Sequence, residues 1–393
     1  MAGIYIHIPF CERKCRYCDF YSEEFSGINR RKQNIDLLIN PNSLSVFSDF
    51  LSREIALFTA THKELPLITS IFFGGGTPSL LPSGQLSSII KLLHSQFNIT
   101  DDAEISLEAN PGTLSSAKLK SYRAAGVNRL SIGAQSFVAS ELNFLERIHN
   151  PRQIEEAFSN ARNAGFDNIS LDLMFSVPGQ SKDTLAFSLE RTFELYPEHI
   201  SSYSLIYEPE TPLYNDLQNG KFRKLNEEED AELYEYTMDT LRQAGYIQYE
   251  VSNYALSDKY KCRHNLNYWS GGEYLAFGPS AHSYLRGRRA WNERDLNRYY
   301  ESLKNGKLPI EDSELLSKLD KLNEIIMLGL RAEGLILSDL KSEFSLDLFS
   351  VAGTYIQQMI DDDFLIYDGK TLAATSKGYR VCDEIILNII SAI

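Results

Sequence analysis

The sequence predicts an α/β protein: a partial (β/α)6 TIM-like barrel followed by a smaller, mainly helical, winged-helix-like domain. Three observations predict it. From residue 1 to about 207, short apolar-rich strands alternate with amphipathic helical patterns, the signature of β/α units around a parallel sheet. No glycine-rich dinucleotide fingerprint follows the first strand, which favours a barrel-like sheet over an open dinucleotide-binding one. Several strands also carry polar residues opposite their apolar face. A barrel packed solid would carry branched apolar side chains on both faces, so these strands imply an open, wet or ligand-filled lumen.

Composition sets the outer bounds. A chain of 393 residues, 43% hydrophobic and 23% charged, suits two or three folded domains with ample core. With 53 acidic against 39 basic side chains and a net charge of −14, broad phosphate neutralisation is disfavoured, so nucleic acid is not an expected partner. No apolar run approaches the roughly 18 residues of a membrane span, and the N-terminus carries neither the basic nor the apolar stretch of a signal peptide. The cytoplasm is the expected location. Five cysteines, an odd number with three in one motif, agree, because a secreted chain would use them for disulfides.

The first strand, residues 3–8, puts Ile4, Ile6 and Ile8 on one face and Tyr5 and His7 on the other. Directly behind it comes Cys11-Glu12-Arg13-Lys14-Cys15-Arg16-Tyr17-Cys18, spaced CxxxCxxC. Thiolates are soft ligands for zinc or an iron–sulfur cluster. A zinc site would need a fourth protein ligand, for which His7 or Asp19 is at hand; a cluster with three protein ligands leaves one iron open to a small molecule.

The second strand, residues 69–74, ends in Phe72-Phe73-Gly74-Gly75-Gly76-Thr77-Pro78. Three glycines there permit close backbone approach to a ligand and expose amide donors, with a plain turn as the alternative. Residues 86–93 and 153–164 read as amphipathic helices. In the third strand, 104–109, Ile105 and Leu107 oppose Glu104, Ser106, Glu108 and Asn110. In the fourth, 128–133, Leu130 and Ile132 oppose Ser131, Gly133 and Gln135, and in the fifth, 168–174, Ile169, Leu171 and Leu173 oppose Ser170 and Asp172. The sixth, 199–206, is ambiguous. Barrel active sites lie at the C-terminal strand ends, so Glu108, Gln135 and Asp172 fall where a ligand should sit. Arg147, before His149, suits a carboxylate through its bidentate fork, or is a solvated helix residue; Glu108 and Asp172 suit ribose hydroxyls or an ammonium, or are strand-end carboxylates that bond a loop.

Past residue 207 the pattern changes. Glu208-Pro209-Glu210-Thr211-Pro212 reads as a rigid connector, 227–244 as a charged amphipathic helix and 246–253 as a strand. In Cys262-Arg263-His264-Asn265-Leu266-Asn267-Tyr268-Trp269, a histidine beside flat aromatic surface suits an iron porphyrin; alternatively Tyr268 and Trp269 pack beneath a loop that His264 caps. Tyr284 to Trp291 reads as a hairpin whose tip arginines, Arg286, Arg288 and Arg289, are solvated or meet the propionates of a haem. From 310 onward Leu319, Leu322, Ile326 and Leu330 recur at helical spacing, with further helices near 338–347 and 352–362. An Asp368-Gly369 hairpin and a last helix from Lys377, with Cys382 in its core, complete a winged-helix-like unit. In so acidic a chain that shape suggests a structural or partner-docking role over DNA binding. The expected divisions are 1–207, 208–305 and 310–393.

The cysteine spacing resembles the radical S-adenosylmethionine (SAM) superfamily, and Tyr5-Ile6-His7-Ile8-Pro9-Phe10-Cys11 resembles its coproporphyrinogen dehydrogenase/HemW branch. Further matches follow in order: Gly74 to Pro78, Glu108 to Pro111, Ser131 to Ser136, Arg147 before His149, and Asp172 to Met174. His264-Asn265-Leu266-Asn267-Tyr268-Trp269 matches the HNxxYW signature of HemW-type proteins, and the resemblance spans nearly the whole chain. It implies that Cys11, Cys15 and Cys18 hold a [4Fe–4S] cluster whose open iron chelates the methionine part of SAM, which an electron can cleave to a 5′-deoxyadenosyl radical. It puts Tyr5, Tyr17, Gly75, Gly76, Thr77, Glu108, Gln135, Arg147 and Asp172 at SAM. At haem it puts His264, Tyr268 and Trp269, with His264 the axial ligand and Cys262 or His282 next in line.

Two departures bear on function. Coproporphyrinogen dehydrogenases carry a further cysteine two residues after the third ligand, where this chain has Phe20, and an extension before the first strand, whereas this chain starts four residues ahead of Tyr5. Both favour the haem-chaperone branch, which binds haem and passes it to acceptor proteins of respiratory systems. Oxidative decarboxylation of coproporphyrinogen III, or radical-SAM chemistry on another substrate, is the alternative. A homodimer is compatible with either.

Overall fold

The protein is described by a computed structural model, in which residues 1–25 and 43–393 are defined. Six strands are parallel and neighbour one another in chain order: β1 (Ala2–Ile8), β2 (Ile68–Gly75), β3 (Ile99–Ala109), β4 (Arg129–Gln135), β5 (Ile169–Phe175) and β6 (His199–Ser204). Each follows from the apolar alternation in its sequence. Ile4, Ile6 and Ile8, together with Ile105, Leu107, Leu130, Ile132, Ile169 and Leu171, are fully or almost fully buried in one core. Each such side chain contributes roughly 1.5–3 kcal/mol when removed from water.

The outer side of that core comes from α1 (Leu44–Thr61), α2 (Ser83–Gln96), α3 (Ser116–Ala124), α4 (Pro151–Asn163) and α5 (Lys182–Leu195). In α2 the buried stripe is Leu86, Ile89, Ile90 and Leu93, and in α4 it is Ile154, Ala157, Phe158 and Ala161. The start of α4 is fixed by Pro151 at its first position and by the reciprocal Asn150–Gln153 capping box. Because the helices take the apolar face, Tyr5, His7, Glu108, Ser131 and Asp172 are left on the lumen face.

The sheet does not stop at six strands. At one edge β6 pairs antiparallel with β8 (Asn253–Ala255), which pairs with β7 (Ile247–Gln248). The continuous strand expected over 246–253 is broken by a turn in which buried Glu250 accepts a hydrogen bond from the Ser252 amide. At the other edge β1 pairs in parallel with β9 (Glu273–Phe277), which no sequence pattern announced. The antiparallel strands β10 (His282–Leu285), β11 (Arg288–Asn292) and β12 (Ile310–Leu315) follow. The result is an open twelve-stranded sheet with both flanks supplied by the segment after residue 207.

That segment also contributes α6 (Glu227–Gln243), α7 (Arg263–Trp269) and α8 (Leu296–Lys304). The C-terminal unit comprises α9 (Lys318–Leu330), β13 (Leu335–Ile336), α10 (Leu337–Phe344), α11 (Leu348–Asp361), the hairpin β14 (Leu365–Tyr367) and β15 (Thr371–Ala374), and α12 (Cys382–Ser391). Its three-stranded sheet and separate core around Ile326, Leu330, Ile356, Leu372 and Ile389 have the winged-helix order of elements. It is tied to the barrel through Val251 N–H to Arg331 carbonyl, 3.0 Å, and Arg380 to Glu235, 3.2 Å. Among the described residues no helix is long and apolar enough to cross a membrane.

Candidate functional site

The cysteine loop leaves the top of β1 and is pinned at both ends. Phe10–Cys11 and Glu23–Glu24 form a short parallel ladder, and the Phe25 amide donates to the Cys11 carbonyl at 2.7 Å. The end of β2 lies directly beneath. Gly76 N–H donates to the Ile8 carbonyl at 2.8 Å, and a Cβ on Gly76 would lie 2.7 Å from the Phe10 carbonyl oxygen. Gly75 has φ +109°, and a Cβ there would strike the His7 ring at 2.7 Å. The glycines therefore admit the chain's own cysteine loop as well as facing the lumen.

All three thiols are free, Cys11 buried and Cys15 and Cys18 partly so. Thr77 Oγ1 donates to Cys11 Sγ at 3.4 Å and Arg147 Nη1 to Cys15 Sγ at 3.3 Å. Burial pushes the Cys11 thiol up and that of Cys18 up to about 11. Among the described residues no three histidine, cysteine or carboxylate side chains converge on a single-ion position. His7 is also unsuited to complete a zinc site: its Nε2 bonds the Tyr21 carbonyl at 2.9 Å and its Nδ1 the Tyr5 hydroxyl at 3.2 Å. Three free thiols on one pinned loop, two already meeting hydrogen-bond donors, fit an iron–sulfur cluster held by cysteine alone.

A cavity of about 570 Å³ opens beside Cys18. Of the nine residues expected at SAM, all but Tyr5 line it. Arg147 is the hub: besides Cys15 it donates to the Gly133 carbonyl at 3.1 Å and to Asn110 Oδ1, leaving its buried Nε without a partner. Asn110 Nδ2 in turn donates to Thr77 Oγ1 at 3.1 Å. Gln135 ends β4 at φ +66°, beyond a register shift, a strained position for a non-glycine residue. Across the floor, Asp172 accepts from Ser131 Oγ at 2.9 Å and Ser170 Oγ at 3.2 Å. Burial and the Asp172 charge raise Glu108 to about 8, and burial raises Asp172 as well.

A second cavity, about 600 Å³, shares Glu108, Asp172, Phe20 and Tyr203 with the first and continues the lumen toward β9 and β10. Rings make up about half of its lining, among them Tyr5, Phe72, His264, Tyr268 and Tyr274. His264 is buried, stacked on Phe72 with centroids 5.1 Å apart, and uses both nitrogens: Nδ1 with Ser70 Oγ at 2.9 Å, Nε2 with Tyr268 Oη at 3.1 Å. Burial and the Arg129 charge lower its ring to about 3. Trp269, half-buried, lines neither cavity. Cys262 is buried with its thiol directed at Glu104 Oε1, 3.5 Å, and raised to about 12 by burial.

Sequence reasoning gave Glu104 and Arg129 no role, yet they organise the floor. Glu104 accepts the backbone amides of Arg263 (3.1 Å) and His264 (3.3 Å), fixing the start of α7, beside fully buried Arg129. The polar face of β3 was the signal for Glu104; nothing local marked Arg129. The hairpin arginines are engaged: Arg286 with Glu64 at 3.0 Å, Arg289 with Glu324 at 2.8 Å and Glu314 at 3.1 Å. Phe20, 67% exposed, stands where the two cavities meet.

With the geometry in hand, comparison with known proteins is informative. Residues 5–191 match the model of the radical SAM superfamily and residues 316–381 that of the HemN C-terminal domain. The chain is 38% identical over 332 residues to heme chaperone HemW of Bacillus subtilis (strain 168), covering 84% of this chain and 83% of that protein. It is 33% identical over 382 residues to heme chaperone HemW of Lactococcus lactis subsp. lactis (strain IL1403), covering 97% and 95%. The solved structure of coproporphyrinogen III oxidase (HemN) from Escherichia coli, a radical SAM enzyme, aligns with a TM-score of 0.82 at 23% identity, over 100% of this chain and 90% of that one, a likeness of fold.

Proposed function

The chain belongs to the HemW family of radical SAM proteins, and from that premise we propose that it binds haem and passes it to acceptor proteins, while Cys11, Cys15 and Cys18 hold a SAM-liganded [4Fe–4S] cluster. One observation supports the cluster half above others. A run of hydrogen bonds, Cys15 to Arg147 to Asn110 to Thr77 to Cys11, joins the thiols to the ends of β2 and β3 and to a loop beyond β4, segments far apart in sequence. When bound, the cluster and SAM would supply one-electron reductive chemistry. The chain's own contribution is positioning. Arg147 offers a guanidinium edge to a carboxylate, and Glu108 and Asp172 offer acceptors to an ammonium or ribose hydroxyls.

The haem half rests on family membership, the ring-walled second chamber and Phe20. An exposed phenyl group at the junction of the chambers supplies flat apolar surface and no thiol. Acceptors of the respiratory chain, met in the cytoplasm, follow from the same reading, and the net charge of −14 favours a protein or small-molecule partner over a polyanion.

The test is a haem titration of the cluster-reconstituted chain, with and without SAM, followed by transfer to an apo-cytochrome acceptor. A Soret band that survives desalting is expected; its absence removes the haem half. An anaerobic assay with coproporphyrinogen III, SAM and a reductant should give no protoporphyrinogen. Product in that assay would replace the chaperone reading with the decarboxylase one.

A further inference from the structure

The lumen face does not end with the barrel. Register carries it outward: Gly3 lies opposite Tyr274, Tyr274 opposite Tyr284, Tyr284 opposite Arg289, and His282 opposite Trp291. Because side chains alternate with period two, His282 and Tyr284 share the face of Tyr5 and His7. The lower part of this aromatic apron is roofed by α9, which encloses a separate cavity of about 260 Å³ with Tyr274, Tyr284 and Arg289. The upper part, at His282, opens into the second chamber.

Three histidines line that chamber, His7, His264 and His282. The first two spend both ring nitrogens on hydrogen bonds. His282 is exposed, has no hydrogen bond to either nitrogen among the described residues, and stacks on Trp291 with centroids 5.8 Å apart and planes 24° apart. Arg294 lines the same chamber, exposed, its guanidinium 5.9 Å from the Tyr21 ring, with no carboxylate partner among the described residues.

We propose that His282, rather than His264, supplies the imidazole that ligates haem iron, with Trp291 holding its ring plane and Arg294 facing a propionate. The inference rests on the haem reading above and assigns its ligand. Ligation is a dative Fe–N bond from a neutral imidazole, so no electron or proton has to move. Partial burial and the Arg289 charge hold the His282 ring below its ordinary pKa. A stacked indole orients the ligand as hydrogen-bonded partners do at other metal sites. His264 would first have to break one of its two hydrogen bonds, at Nδ1 or at Nε2, leaving a buried partner at a cost of about 1–3 kcal/mol.

The test uses the full chain, cluster-reconstituted and loaded with haem. His282→Ala should shift the Soret band and release haem to apomyoglobin at least about tenfold faster than wild type. Added imidazole should restore the band, which a structural role would not allow. His282→Met, which keeps a donor of similar reach, should give a third Soret position. Unchanged spectra and release rates in both variants, with wild type binding haem, overturn the assignment and leave the haem reading standing. Failure of wild type itself to bind haem overturns both.

Discussion

The two chambers of the lumen share a wall that includes Phe20, Glu108, Ser131, Asp172 and Tyr203, and beyond it they are built from different materials. The one beside the cysteines adds charge and amide: Arg147, Asn110 and Thr77 are joined by hydrogen bonds, and Asp172 is held by Ser131 one strand away. The one beneath β9 and β10 adds a wall of rings, and buried Glu104 steadies the helix that carries two of them. Charge needs neighbours fixed to a few tenths of an ångström, and so it falls on short segments at strand ends. Aromatic surface needs only area, and can be gathered from anywhere the sheet register brings it.

If the chambers are independent, changes in one should spare the other. Cys15→Ala has the largest expected effect, complete loss of cluster iron and sulfide for want of one of three protein ligands. Haem binding should persist; its equal loss would join the chambers into one structural unit. Glu104→Ala comes next. Removing the acceptor of two α7 amides beside buried Arg129 should lower stability by on the order of 3 kcal/mol, read as a shifted urea midpoint, and weaken haem binding. Cluster content should stay at the wild-type level. Gly76→Ala works from the other side: a methyl 2.7 Å from the Phe10 carbonyl should cost about 2 kcal/mol and most of the cluster, with the ring chamber intact.

The smallest effect tests the shared wall. Glu108 titrates near 8 in the folded chain, above the ordinary carboxylate range. A raised acid stabilises the folded state below its ordinary pKa, and that contribution is lost as pH rises through about 8. An ammonium or ribose hydroxyl that needs the carboxylate must displace its proton. SAM affinity should therefore rise with pH between 6 and 8, by up to about tenfold per unit, in calorimetric titrations. Glu108→Gln should flatten the profile; a flat wild-type profile would mean that SAM does not engage this carboxylate.

The same division explains what could be read from the sequence. The charged chamber was legible because each part is a local signal: a thiol triplet, three glycines at a strand end, polar alternates on β3, β4 and β5. The ring chamber was not. Its strand β9 is five residues, Glu273 to Phe277, and pairs with a partner at the other end of the barrel sequence. His264 looked like an open ligand because its neighbours in sequence are aromatic, whereas in the fold those rings and Ser70 consume it. Arg129 gave no sign because a buried cation is identified only by the anions the fold brings to it. The hairpin arginines looked available for the same reason, their glutamate partners lying elsewhere in the chain.

The pairing of β1 with β9 sets a timetable for biosynthesis. β1 is made before every other strand of its sheet, yet one of its edges has no partner until the chain has been synthesised through Phe277. At 5–20 residues per second that interval is roughly 15–50 s, during which an apolar strand edge beside three thiols is unprotected. Nascent chains should therefore need an escort over that window. Iron–sulfur loading that preceded closure would meet a lumen with one wall missing.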